Sequence, residues 1–193
     1  WITDLSPEMA IQYCKLTSIC LDDIHPSWLS NHEVASRAAD LHSPKLLPSS
    51  VKKNLMTHFK LTSVQLSELK STIDPMLLLP KQPLYEFLLL IGAVQFKQEI
   101  SHIILSKDLR VLKNAIGEKL YEFTINHGHF YTLPTIKRIQ DSLTKSPEFV
   151  LLSAGALTLS KIVQSENHQI LQRFLLKLPQ DVDCKDLKFT ANP

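Results

Sequence analysis

Glycine scarcity narrows the folds open to this chain more than any other feature. Only 4 of 193 residues are glycine, where average usage is about 7%. Tight hairpins draw on glycine for their positive-φ positions, so a hairpin-rich sandwich or barrel is not expected. Proline is present at 11 positions, and proline ends or interrupts helices. Apolar residues make up 44% and charged residues 21% of the chain. That is ordinary globular usage, with enough apolar material for a sizeable core, and it excludes a disordered acidic or basic tail. The expectation is an all-α protein, an irregular bundle of about eight helices in a single domain covering residues 1–193.

The helices can be read from caps and apolar spacing. Ser6-Pro7-Glu8 is a helix start: a capping hydroxyl, proline at the first helical position and a carboxylate at the positive end. That helix fades near Thr17-Ser18. The connector from Ile19 to Leu29 includes His25, which precedes Pro26 and is biased to extended geometry. A second helix is read from Ser30 or Asn31 to Leu41. In the third, Val51 to about Leu61, the residues Val51, Leu55 and Phe59 recur at i, i+4, i+8, with Lys52, Lys53 and Lys60 off that stripe. A short helix over Leu66, Leu69 and Ile73 then meets Asp74-Pro75 and the Pro80–Pro83 cluster. The stretch 74–83 reads as a joint between two packed helical lobes. Tyr85 to Val94 has only Glu86 charged and reads as a central helix that continues or kinks at Gly92 on the way to Leu105. From Ser106 to a cap at Gly128 runs the clearest amphipathic helix, with Leu109, Leu112, Ile116, Leu120 and Phe123 on one stripe. Further helices are read through Ile136, Ile139 and Leu143, from Ser146-Pro147-Glu148 to Val163, and from His168 to Leu178, stopped by Pro179. Ala154, Gly155 and Ala156 allow close helix packing. The tail 180–193 is expected to be loose.

Charge and cysteine content point away from several classes. Lys and Arg total 21 and Asp and Glu 19, a formal net charge of +2. Residues 1–96 hold 8 basic and 9 acidic side chains, and the remainder 13 and 10. A nucleic-acid binder carries a stronger basic footprint, and 17 of the 21 cations are lysine, which suits a solvated surface better than bidentate phosphate recognition. No nucleic-acid partner is expected. The three cysteines, Cys14, Cys20 and Cys184, form no CxxC pair, so a reducing compartment fits best. The first residue is Trp1, and the native start is expected to lie upstream. Apolar runs such as Leu88–Val94 fall far short of the roughly 20 residues a membrane span needs, so no direct insertion is expected.

Catalytic signatures are missing: there is no GxSxG, Walker loop, HExxH or GxGxxG. No cofactor is expected. Four places nonetheless carry chemistry-bearing side chains. His127-Gly128-His129 could bind a metal, completed by Cys14 or Cys20, or could close a helix whose negative end favours imidazolium. Asp22-Asp23 beside His25 could serve acid–base chemistry, or cap and turn the chain before Pro26. Cys14 has no electropositive neighbour beyond Lys15, which a nucleophilic thiolate requires. Lys52, Lys53, His58 and Lys60 form a small basic face that could meet phosphate or simply water. The mixed Glu and Lys content of the segment Lys107–His127 suits a scaffold helix rather than a DNA-reading one.

Two segments resemble a known family. Ile24-His25-Pro26-Ser27-Trp28-Leu29 resembles the H-P-x-x-L element near the N-terminus of the SctK family, which includes YscK, PscK, OrgA and MxiK. Leu88-Leu89-Leu90-Ile91-Gly92-Ala93-Val94, with Ile103-Ile104-Leu105 and Leu109-Arg110-Val111-Leu112, is similar to that family's middle region. The family's aromatic-proline pair upstream of His-Pro is replaced here by Leu21-Asp22-Asp23. The resemblance implies a non-enzymatic adaptor of the type III secretion sorting platform, cytoplasmic and peripheral at the cytosolic face of the bacterial inner membrane. Its implied partners are the cytosolic domain of the ring protein SctD and the pod protein SctQ, and through SctQ the regulator SctL and the ATPase SctN. His25, Pro26 and Leu29 carry over as an ordered family element. Interfaces need apolar or aromatic anchors with polar rims, and the candidates are Trp28, Phe130, Tyr131 and the tail from Phe189. Two other readings stay open: an all-α nucleic-acid-binding or regulatory protein, and a metal-dependent enzyme using His127 and His129.

Overall fold

The structure, a computed structural model, describes residues 24–29, 49–64, 79–136, 143–163, 168–180 and 182. Among these residues every regular element is helical: seven α-helices, two 3₁₀ turns and no strand. The α-helices are α1 (Ser49–His58), α2 (Lys81–Gln95), α3 (Lys97–Ser101), α4 (Ser106–Ile116), α5 (Glu118–His127), α6 (Pro147–Val163) and α7 (His168–Leu176). The 3₁₀ turns are Pro26–Trp28 and Gly128–Phe130. The all-α expectation holds. The helices read before residue 24, around 30–41 and over Leu66–Ile73 lie outside the described residues, as do most of the one through Ile139 and most of the tail. The chain divides into two compact units, Trp1–Leu84 with Val163–Asp181, and Tyr85–Ile162 with Val182–Pro193.

In the first unit, α1 follows its apolar stripe. Leu55 and Phe59 are buried and Val51 half-buried, in a core with Ile24, Leu61 and Leu176. The end of α1 shows what glycine scarcity does to a helix terminus. Leu61 N–H donates to Met56 O at 2.7 Å and Lys60 N–H to Thr57 O at 3.1 Å, the paired bonds of a Schellman cap. The residue in the left-handed position is Lys60, at φ 50°, where glycine is usual. The chain leaving this cap is then held by α7. Gln169 Oε1 accepts the Thr62 N–H at 2.8 Å, the Arg173 guanidinium donates to Thr62 O at 2.6 Å, and Gln172 Nε2 donates to Phe59 O. Lys177 Nζ donates to Leu79 O at 3.0 Å. Arg173 and Lys177 are both buried, and burial pulls the Arg173 pKa below its ordinary value. Their donors satisfy backbone carbonyls that no helix partner reaches.

In the second unit, α6 is buried along nearly its whole length, from Val150 through Ser160. A helix apolar on all sides belongs inside. It starts as its sequence dictates, with Pro147 in the first turn and Val150 N–H bonded to Ser146 O at 3.0 Å. Helix α2 runs unbroken through Gly92 and stops at Gln95; the break comes at Phe96, with φ −98° and ψ 18°. The kink allowed for at Gly92 is therefore not there. Gly92 serves close approach instead: a Cβ on it would stand 1.9 Å from Leu151 O, and one on Gly155 would stand 2.0 Å from Leu88 O. The two helices touch backbone to backbone at both crossing points, antiparallel.

The long amphipathic helix read from Ser106 to Gly128 is two helices. Gly117 divides them at φ 81° and ψ 153°, a conformation that side-chain-bearing residues rarely take. The 3.6-residue stripe crosses the break, which is why periodicity alone joined the halves. Across it the Lys113 ammonium meets Glu118 at 2.6 Å, and that hydrogen bond raises the Lys113 pKa. Gly128 follows α5 as read, but with a right-handed φ of −55°, and the chain tightens into the second 3₁₀ turn.

Candidate docking surfaces

The His-Pro element is built from local rules and then locked by distant ones. His25 is extended, at φ −67° and ψ 135°, as its place before proline requires. Pro26 opens the 3₁₀ turn. His25 Nδ1 accepts the Ser27 N–H at 3.2 Å and lies 2.8 Å from the Ser27 hydroxyl. The same hydroxyl oxygen accepts the Gln180 N–H at 2.9 Å.

Two further bonds reach the end of α7. His25 N–H donates to Leu176 O at 2.7 Å, and Trp28 Nε1–H donates to Leu178 O at 2.8 Å. The last carbonyls of a helix lack intrahelical donors; this element supplies one to Leu176, the last residue of α7, and one to Leu178 just beyond it. Trp28 meets Phe59 edge-on, ring centres 6.4 Å apart, and Trp28 and Leu29 pack on the core of Ile24, Leu55 and Phe59. Thus His25, Trp28 and Leu29 are half-buried and turned to their own fold, and Pro26 is exposed. Asp22 and Asp23 lie outside the described residues.

The His-Pro element belongs to the first unit, and Phe130 and Tyr131 belong to the second. They cap the end of α5, exposed at 73% and 49%. Their backbone is pinned from beneath: Lys97 Nζ donates to Gly128 O at 3.1 Å and to Tyr131 O at 2.8 Å. His127 and His129 lie in this cluster and are exposed. His127 stacks near Phe123 and Phe130, ring centres 5.5 and 6.4 Å away. His129 packs 3.9 Å from the Phe130 ring centre. Among the described residues no group of three or more His, Cys, Asp or Glu side chains is arranged to hold a metal; Cys14 and Cys20 lie outside them.

On α1, Lys52 is half-buried and Lys53, His58 and Lys60 are exposed. An open hollow of about 520 Å³ lies in the second unit, with Val111, Ala115 and Phe149 among its apolar lining and Lys145 and Glu148 among its polar residues. The Glu148 carboxylate accepts the Tyr85 hydroxyl at 2.8 Å.

Sequence reading missed two features. Ile104 and Leu105 are exposed at 90% and 68%; apolar identity alone gives no sign that a short interhelical connection will hold them out. It also missed Lys97, which periodicity marks as an ordinary surface lysine. No helix among the described residues is long and apolar enough to cross a membrane.

Among known families, the model of the YscK family, described as YOP proteins translocation protein K, matches residues 13–193. No curated protein and no solved structure matches the chain.

Proposed function

The chain belongs to the YscK family of type III secretion proteins, and from that membership we propose that it is a non-enzymatic adaptor of the sorting platform, linking the cytosolic domain of the ring protein SctD to the pod protein SctQ. The observation that carries this reading is the extent of the family match, residues 13–193, nearly the whole chain. A linking role asks for a rigid body that presents anchors to partners. Helices that meet backbone to backbone at Gly92 and Gly155 provide rigidity, and Phe130 and Tyr131 stand outside the core as large apolar groups available to a partner. In this reading the protein works at the cytosolic face of the bacterial inner membrane, held there by SctD, and reaches SctL and the ATPase SctN through SctQ.

The test is direct binding. The purified chain is titrated separately with the SctD cytosolic domain and with SctQ, then with both together. Binding to each, and a ternary complex when both are present, is the expected result. Binding to neither refutes the adaptor reading.

A further inference from the structure

The end of α5 presents rings on a braced platform. Phe123, His127, Phe130 and Tyr131 lie with neighbouring ring centres 5.5–6.4 Å apart, and His129 closes on Phe130. Beneath them the turn is fixed by the two Lys97 bonds to carbonyls. Gly128 is buried against the Lys97 stem, and the Thr124 hydroxyl is bonded to Leu120 O at 2.8 Å. Large apolar side chains held out by a rigid backbone lose little freedom on binding, which favours their use as anchors.

Two lysines, Lys97 and Lys119, stand by the rings. Among the described residues no carboxylate forms an ion pair with Lys97; its ammonium donates to carbonyl oxygens. Lys119, Phe123 and His127 recur at i, i+4, i+8 and share one face of α5. His127 and His129 add two exposed imidazoles to this face. Of the carboxylates nearby, Glu118 is held by Lys113, Glu122 sits about 100° around the helix from Phe123, and Glu99 follows Lys97 by two residues on α3.

We infer that this ring-bearing, cationic face docks a partner segment in which carboxylates flank an aromatic or large apolar anchor. Carboxylates meet Lys97, Lys119 and the imidazoles at the rim, and the anchor packs among Phe123, Phe130 and Tyr131. The inference deepens the adaptor reading and rests on it only for which protein supplies the segment.

The experiment uses the full chain and a random copolymer of glutamate and tyrosine as probe, with polyglutamate and a single-stranded oligonucleotide as comparisons, and then the two partner proteins. The copolymer is expected to bind more tightly than polyglutamate, and several-fold more weakly at 300 mM than at 50 mM salt. The double variant Phe130→Ala with Tyr131→Ala is expected to lose tenfold or more toward the copolymer and toward one of the partners. Lys119→Glu is a second variant at an exposed position, expected to weaken the copolymer several-fold with an unchanged melting temperature.

Equal binding by wild type and both variants overturns the inference, as does equal binding of polyglutamate or of the oligonucleotide. If the copolymer behaves as described but neither partner binds, the adaptor reading fails and the docking face stands. If the partners bind wild type and both variants alike, the face is refuted and the adaptor reading survives.

Discussion

Replacing Gly92 by alanine tests the packing of the second unit most sharply. The added Cβ would stand 1.9 Å from Leu151 O and 2.6 Å from Leu151 C. An ordinary carbon–oxygen contact is about 3.3 Å or more, so the shortfall is about 1.4 Å. The obstacle is the backbone of α6, which cannot rotate aside as a side chain would. The helices must part, and a radial gap of about 0.5–1 Å already forfeits a quarter to a half of the dispersion well at every contact lining it. Leu88 and Leu151, whose backbones meet the two glycines, are both buried.

Overpacking of ordinary side chains costs about 1–3 kcal/mol; against backbone the upper end applies or is exceeded, about 3–5 kcal/mol. Alanine's better helix propensity returns about 1 kcal/mol. The net expectation is a loss of about 2–4 kcal/mol, a large share of a typical 5–15 kcal/mol stability. Gly155→Ala, meeting Leu88 O at 2.0 Å, should behave alike, and the double variant should cost less than the two losses added, because helices already parted admit the second methyl more easily. Gly128→Ala is the control: its Cβ would meet Lys97 Cβ at 3.4 Å, an ordinary contact. Urea unfolding followed by far-ultraviolet circular dichroism measures all four. If Gly92→Ala or Gly155→Ala falls within about 0.5 kcal/mol of wild type, the range of ordinary surface substitutions, the backbone contact between α2 and α6 is wrong.

Three further outcomes follow from single residues. Lys60→Gly relieves the left-handed strain at φ 50°, about 1–2 kcal/mol, partly offset by glycine's extra freedom when unfolded; the net is a gain of about 0.5–1 kcal/mol, seen as a melting temperature raised by about 1–4 °C, and a fall would refute the cap. The Thr158 hydroxyl is buried without a hydrogen-bond partner, so Thr158→Val should stabilise by about 1–2 kcal/mol in a urea titration, whereas a loss would mean the hydroxyl is satisfied. Trp28→Phe keeps an aromatic ring beside Phe59 but removes the donor to Leu178 O; the expected cost is about 1–3 kcal/mol by urea titration followed by circular dichroism, and an unchanged midpoint would show that the indole bond carries nothing.

Sequence alone was enough for whatever local chemistry decides. The start of α6 at Ser146-Pro147, the Val51-Leu55-Phe59 stripe of α1 and the extended His25 each depend on neighbours within a few residues, so caps, spacing and the restriction before proline reveal them. The all-α class followed from the same scarcity of glycine and wealth of 3.6-residue spacing, and the H-P-x-x-L element pointed to the family. Tertiary structure decided where the same residue plays opposite parts. Gly92 lets a neighbouring backbone in while its helix continues, and Gly117 ends a helix with nothing near it; no feature of either residue's own neighbourhood separates the two cases. The bonds that make a clasp of His25 and Trp28 reach Leu176 and Leu178, about 150 residues onward, and the side chains of α7 reach a chain more than 100 residues back, Gln169 accepting and Arg173 donating. Such pairings depend on which surfaces the fold brings together, as does the exposure of Phe130 while Phe123, seven residues earlier, is half-covered. Burial is a property of the assembled chain, and a side chain's identity states only what burial would be worth.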